Sequence, residues 1–490
     1  MSLFGEYVVT PKNLKAAEEK LMDSGITEDE LIARAAAALK KSAEKTLRGK
    51  GDKILFVTGG GNNGCDGLEC ARLFWEEGFD VSVFPVGDRR NDGNEKRLAA
   101  LKAAGVPFVN EVSKNVYRTV VDCVFGIGLT RAPEKEYLRA ISEINLSRAV
   151  VISADVPSGL DADSGKAYGA CVTADETVTF TAVKTGLILG EGRNYTGDVT
   201  VAEIGIPCVK EGRILSDEDA VLPPRKPASH KGSFGKVRVI GGSMTMPGAP
   251  LMCFESAVAA LRTGAGLVTL CVPKSEKAAF ESRVKENMLY FLPSENGKIL
   301  FDAKALDEVM DGADSIAIGC GMGKDGDTAA IVKYLAQNFS GTLVLDADAL
   351  NAVSRDKSVI KGHKCKLILT PHVVEYARLN PDCDLNYLEG IRCFAREYDC
   401  VVAVKSATTV ITDGNETYFS VTGGPMLSKG GSGDVLSGMI AALSCVLPPF
   451  QAVKAGCFHF GKAGERAAKR LNSVTSVLAS DVIIEIAYAR

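Results

Sequence analysis

Short apolar runs alternate with helical patterns along almost the whole chain, and this alternation limits the fold more than any other feature. KILFVT (53–58), DVSVFP (80–85), VVDCVFG (120–126), AVVISAD (149–155) and ETVTFT (176–181) form a first series. VRVIGG (237–242), LVTLCV (267–272), SIAIGC (315–320), TLVLDA (342–347), KLILT (366–370) and VVAVK (401–405) form a second. Strand, helix, strand with glycine-bearing loops at the strand ends is the signature of a parallel, doubly wound sheet. Between the series lies CVKEGRILSDEDAVLPPRKPASHKGS, charged and proline-bearing, at about 208 to 230. The expected organisation is a domain over 1–210, a linker over 211–227 and a domain over 228–490, and the 490 residues suffice for two large α/β domains. Residues 13–48 read as helical with Gly25 as a break, and 433–445 and 450–470 as two further helices. Asp413-Gly414, inside the β-rich TTVITDGNETYFSV, marks a hairpin.

Composition excludes several classes. Hydrophobic residues make up 46% and charged residues 24%, too apolar for a chain disordered throughout. Lys+Arg is 57 against Asp+Glu 61, so no basic surplus exists to drive nucleic-acid binding by counterion release. The 14 Cys include no C-x-x-C pair and there are only 4 His, which argues against zinc and for reduced thiols. MSLFGEYVVTPKNLK has no basic segment followed by an apolar one, so no secretory signal is expected. No run approaches a membrane span, and a cytoplasmic protein is the expectation.

Three loops in the first half sit at carboxyl ends of strands, where open α/β sheets bind ligands. Gly59-Gly60-Gly61-Asn62-Asn63-Gly64-Cys65-Asp66-Gly67 contains a formal G-x-G-x-x-G, whose amides at a helix start suit a phosphate. Alone it is a weak match, since no acid ends the next strand. Asn62, Asn63 and Asp66 nevertheless make it unusually polar for a turn. The other two loops run from Asp122 through Gly126-Ile127-Gly128 to Arg131, and from Asp155 through Pro157-Ser158-Gly159 to Asp161. An acid in an apolar strand end needs a partner if buried, though each acid taken separately also suits a cap or turn.

Together, and in this order, the three loops resemble the YjeF N-terminal family, whose members epimerise the hydrated nicotinamide cofactors NADHX and NADPHX. The resemblance runs from about residue 10 to 207. It implies a Rossmann-like sheet with Asn62, Asn63, Gly64, Cys65 and Asp66 lining the substrate site, together with Gly126, Ile127, Gly128, Leu129, Thr130, Arg131 and Ala132. Asp155 would contact the hydrated ring as the catalytic candidate. Asn63, Asp122 and Ser158 would hold K⁺, a hard cation suited by oxygen ligands. The chain departs from the family at Leu31–Ala36 and at Cys65, where glycine is usual.

In the second half, Lys429-Gly430-Gly431-Ser432-Gly433-Asp434 carries the most chemistry. Its glycines let the backbone close around an anion at a helix start, whose dipole favours negative charge. Asp434 can cap that helix; as a carboxylate beside an anion hole it can also take a proton from an attacking hydroxyl. No G-x-x-x-x-G-K-[ST] occurs, which excludes a P-loop. His372, after a strand, is equally read as a cap or core residue.

With KGSFGKVRVIGGS, ALRTGAGLV, DADAL and TPH, this segment resembles the ribokinase-like superfamily in its NAD(P)HX dehydratase branch, over about 228–488. That implies an α/β/α domain removing water from the S hydrate at the expense of ADP or ATP with Mg²⁺. Ala249, Gly321, His372 and Asp434 would contact the hydrate, with Asp434 catalytic. Lys405, Ser406, Ala407, Thr408, Thr409 and Gly433 would contact the nucleotide. Departures fall at Val373-Val374-Glu375-Tyr376 and at Ser406, usually glycine. The resemblances converge on repair of hydrated cofactors. The expected partners are the small molecules NADHX and NADPHX, with neither nucleic acid nor membrane, and a homo-oligomer is expected. A vitamin or sugar kinase and a non-catalytic binding module are the alternatives. TPH and the opening motif speak against the first; Asn63, Asp122, Asp155 and Ser158 speak against the second.

Overall fold

The computed structural model describes residues 3–243, 249–323, 326–381 and 387–489. The chain divides into two compact units, Met1–Ile214 and Leu215–Arg490.

The first unit opens on two helices, Pro11–Asp23 and Glu28–Glu44. Thr10 caps the first, with Pro11 at a position whose missing N–H costs nothing. Thr27 and Glu30 form a reciprocal capping box on the second. Gly25, at φ +107°, makes the break between them. A six-stranded parallel sheet follows, in the spatial order Asp80–Pro85, Lys53–Thr58, Thr119–Cys123, Val150–Ala154, Glu176–Phe180, Asp198–Ala202. The chain runs outward from Lys53–Thr58 in both directions, so the switch point lies between it and Thr119–Cys123. Leu14, Leu31 and Leu39 join Phe56, Phe74 and Val121 in one core, which is why the apolar spacing of 13–48 is helical. Asp198–Ala202, an edge strand, was not among the expected runs. Tyr7–Val9 pairs separately, parallel to Val183–Lys184 and antiparallel to Gly212–Ile214.

In the second unit the sheet order is Met288–Leu292, Leu267–Pro273, Lys236–Ile240, Ser315–Ile318, Thr342–Leu345, Lys366–Leu369, Cys400–Val404, all parallel. Thr409–Thr412 and Thr417–Ser420 then add an antiparallel hairpin, whose turn has Gly414 at φ +94°. Its switch point lies between Lys236–Ile240 and Ser315–Ile318. The helices expected near 433–445 and 450–470 are Ser432–Leu443 and Pro449–Leu471. Ser432–Leu443 packs so closely on Ala249–Thr263 that a Cβ at Gly438 would overlap the Ser256 carbonyl. Among the described residues every cysteine is a free thiol, and no helix is long and apolar enough to cross a membrane.

The expected linker, 211–227, is not a free tether along its whole length. Gly212–Ile214 is a strand of the first unit. Leu215 and Ala220 are buried in the second unit: Leu215 N–H donates to the Phe419 carbonyl at 2.9 Å, and His459 Nε2 meets the Ala220 carbonyl at 2.8 Å. Charge and proline in this stretch mark its surface, and its few apolar residues supply the anchor. A chain of residues 215–490 should therefore be more stable than one of 228–490, by about 1–3 kcal/mol for the buried His459 and Phe419 groups left unpaired. Urea denaturation of the two measures the difference.

Candidate functional site

At the switch point of the first unit, Asp122 ends its strand wholly buried. Ser158 Oγ donates to Oδ1 at 2.6 Å, while Ser158 N–H and Ser153 Oγ each donate to Oδ2 at 2.9 Å. Burial pushes this carboxyl above the usual range, against the pull of those hydrogen bonds. Asp122 and Ser158 are thus in direct contact. Asn63 lies against Gly126 of the next loop, and neither its amide oxygen nor its amide nitrogen has a hydrogen-bond partner among the described residues. The buried Thr58 hydroxyl, at the end of the adjacent strand, is unpartnered as well. The oxygen donors of Asp122, Ser158 and Asn63 are of the kind a hard monovalent cation takes. Among the described residues no group of three or more His, Cys, Asp or Glu is arranged to hold a metal.

Asp155 sits at the next strand end with φ +62°, a backbone state that costs a non-glycine residue about 1 kcal/mol or more. Lys184, fully buried, answers its charge at 2.5 Å and also donates to the Phe180 carbonyl at 2.6 Å. Asp66 is buried nearby; desolvation, then the charges of Asp155 and Glu18, hold its carboxyl well above the usual range. Lys184 acts on Asp155 and Glu18, while Arg97 is the cation that acts on Asp66.

Two expected lining residues bond to neighbouring side chains. Asn62 donates to Glu28 at 2.6 Å and accepts from Asn91 at 2.9 Å. Cys65 accepts from Asn94 at 3.1 Å, and burial pushes its thiol up to about 11. Gly64 packs under its own loop, where a Cβ would overlap the Gly59 carbonyl. Ile127 packs on the core, Leu129 is half-buried, and Gly128, Thr130, Arg131 and Ala132 are exposed.

In the second unit, the helix Ser432–Leu443 starts after Gly431 at φ +92° with no side-chain cap, and Asp434 lies in its first turn. Desolvation first, then the charge of Asp346, raise the Asp434 carboxyl to about 6; the Cys320 thiol and Lys405 pull the other way. Lys405 Nζ pairs with Asp346 Oδ1 at 2.7 Å, and its backbone N–H donates to the Pro371 carbonyl at 2.7 Å. His372 bridges beside Lys405 and caps the helix Val373–Leu379, its Nδ1 accepting from Val374 N–H at 3.1 Å and Glu375 N–H at 3.3 Å. Any proton on that ring therefore sits on Nε2. The Gly321 carbonyl accepts from Ser243 N–H at 2.7 Å. Ser406 Oγ donates to the Thr408 carbonyl at 2.6 Å in the turn leading to Thr409, and it lacks a positive φ, so serine fits where the family usually has glycine. Ala407 is exposed; the Thr408 hydroxyl is buried and unpartnered among the described residues. Ala249 opens the helix Ala249–Thr263, but its side chain, like Pro247 and Gly248 before it, lies outside the described residues.

Lys184 and Asp346 were missing from the expected site. Each had a legible signal: a lone charge within the apolar TFTAVKTGLIL, and an acid closing the apolar TLVL.

Two doubly wound units, each with charged groups gathered at its carboxyl edge, define a two-domain α/β enzyme acting on nucleotide-like ligands. A family described as YjeF-related protein N-terminus matches residues 28–186, and one described as NAD(P)H-hydrate dehydratase matches 237–487. The chain is 34% identical to the bifunctional NAD(P)H-hydrate repair enzyme Nnr of Moorella thermoacetica, covering 94% of this chain and 91% of that one. It is 33% identical to the Escherichia coli K12 protein of the same name, covering 94% and 88%. Among solved structures it is similar to the ADP/ATP-dependent NAD(P)H-hydrate dehydratase from Bacillus subtilis co-crystallized with ATP/Mg²⁺. That similarity is 25% identity over 56% of this chain and 96% of that chain, with a TM-score of 0.48. The chain belongs to the family of bifunctional NAD(P)H-hydrate repair enzymes.

The Asp434 carboxyl, raised from its ordinary 3.8 to about 6, works against the fold once ionised. Its favourable contribution is complete below pH 3.8 and is lost as pH rises through 6. Asp434→Asn should therefore stabilise the chain at neutral pH, by about 1–3 kcal/mol, with the advantage vanishing near pH 4. Denaturation of both proteins across that range gives the comparison.

Proposed function

We propose that the chain repairs hydrated nicotinamide cofactors in two steps, one per unit. The first unit interconverts the R and S forms of NADHX and NADPHX at the ring carbon bearing the hydroxyl. Asp155, with Lys184 fixing its carboxylate, is the proton-handling group there, beside Asp66, whose carboxyl burial holds well above the usual range. Supporting this is the Asp155–Lys184 pair at a strained strand end, a geometry that over-determines one carboxylate position. The loops of Asn62–Asp66 and Gly126–Ala132 form the walls for the dinucleotide. K⁺, held by Asn63, Asp122 and Ser158, would supply positive charge at the switch point when bound.

The second unit dehydrates the S form. Asp434 takes the proton of the ring hydroxyl as its oxygen attacks the terminal phosphoryl group of ADP or ATP, releasing AMP or ADP. The phosphate then leaves from carbon while the neighbouring carbon gives up a proton, and the dihydropyridine is restored. Lys405, the turn Ser406–Thr409 and Gly433 hold the nucleotide, whose charge Mg²⁺ screens when bound. Gly321, His372 and Ala249 face the hydrate. The observation that carries this half is Asp434 itself: mostly buried, at a glycine-opened helix start, with its carboxyl raised to about 6. A cytoplasmic setting and a homo-oligomer that binds no nucleic acid belong to the same proposal.

Asp434→Asn should bind nucleotide normally and lose dehydration by about 10²–10⁴-fold, because an amide cannot accept the proton. Recovery of NADH absorbance from S-NADHX with ADP and Mg²⁺ measures it; near-normal turnover removes the assignment. Asp122→Ala should abolish epimerisation and leave dehydration of the S hydrate intact. In parallel, K⁺ should raise the melting temperature of the natural chain and not of the variant. Equal melting shifts in both would dispose of the cation site.

A further inference from the structure

Through Asp346 the parts of the second site touch one another, although nothing in the reading so far gives it a task. It follows the strand Thr342–Leu345 and is buried, with its N–H donating to the Ile318 carbonyl at 3.1 Å. A Cβ on Gly319 would overlap the Asp346 carbonyl, so the main chain is fixed on that side as well. Oδ1 accepts from Lys405 Nζ at 2.7 Å. A Cβ placed on Gly433 would stand 3.3 Å from Lys405 Nζ and 3.4 Å from Asp346 Oδ2. The ammonium and the carboxylate are therefore both seated against the backbone of the first turn of the helix that carries Asp434.

That seating decides which anion the lysine serves. Asp434 is faced by Cys320 and Asp346 from the strand ends, by Cys253 from the helix Ala249–Thr263, and by Lys405. Lys405 feels Asp346 first, then Glu375 and Asp434. An ammonium free to turn fully onto Asp434 would neutralise it as a base and leave the helix N-terminus without its cation. We propose that Asp346 is a positioning residue of the dehydratase site: it holds Lys405 at the first turn of the Ser432–Leu443 helix, where the lysine meets a phosphate, and keeps it from pairing with Asp434. This rests on the reading of Asp434 as the base.

The consequence has a sign. Asp346→Asn removes a like charge from beside Asp434 and releases an ammonium towards it, and both changes favour the ionised carboxylate. Lys405→Met removes only the positive charge and acts in the opposite sense.

The test follows kcat/KM of the full-length chain for S-NADHX, with saturating ADP and Mg²⁺, between about pH 5 and 8. In Asp346→Asn the acid limb should move to lower pH by about one unit, with turnover reduced. In Lys405→Met the limb of the residual activity should move to higher pH. A merely structural role for Asp346 would lower the melting temperature and leave the limb in place. An unmoved limb in Asp346→Asn, or a shift of both variants in the same direction, overturns the proposal. Were Asp346→Asn not to fold, Lys405→Met decides alone: an unmoved or lowered limb overturns it. Full turnover by Asp434→Asn is a different failure, that of the base assignment itself.

Discussion

A carboxylate taken out of water costs several kcal/mol unless an opposite charge and hydrogen bonds answer it. In each unit the carboxyl edge of the sheet is arranged around one such answer. Lys184 meets Asp155 in the first and Lys405 meets Asp346 in the second. Around each pair a further acid, Asp66 in one and Asp434 in the other, is held towards its protonated form by burial, against the pull of Arg97 and Lys405 respectively. A protein interior tolerates this only where something else depends on it, and poised carboxyls are what proton transfer near neutral pH requires.

The two sites suit a single problem in sequence. Hydration of a nicotinamide ring creates a new stereocentre, while a chiral site that phosphorylates one hydroxyl accepts one hand. An epimerising unit on the same chain feeds the other hand to the site that consumes it. The chemistry asked of each unit differs accordingly. In the scheme proposed, the first moves protons around a ring carbon with a strained, lysine-locked Asp155. The second presents a glycine-opened helix N-terminus to phosphate, with Lys405 beside it and the proposed base, Asp434, in its first turn.

The sheet strands were legible because a buried parallel strand writes itself as a continuous apolar run with glycine after it, as at KILFVT and SIAIGC. Edge strands were not: Met288–Leu292 is half-exposed, and Asp198–Ala202 mixes polar and apolar residues. The acids of the site could be read from their places at strand ends. Their partners could not, since Lys184 lies 29 positions from Asp155 and Lys405 lies 59 from Asp346, and only the tertiary fold brings them together. Asn62 and Cys65 show the converse limit. Both fall within a binding motif, and their hydrogen bonds to Asn91 and Asn94, 29 positions on, could not be read from it.

The central claim, that one chain converts either epimer to reduced cofactor, is tested most directly with the R hydrate alone. The full-length protein is given R-NADHX, ADP, Mg²⁺ and K⁺, and NADH absorbance is followed to completion. Complete recovery of NADH with one AMP formed per hydrate is the predicted result. R hydrate left unconsumed once its slow spontaneous epimerisation is subtracted, or a stable phosphorylated product in place of NADH, would contradict it.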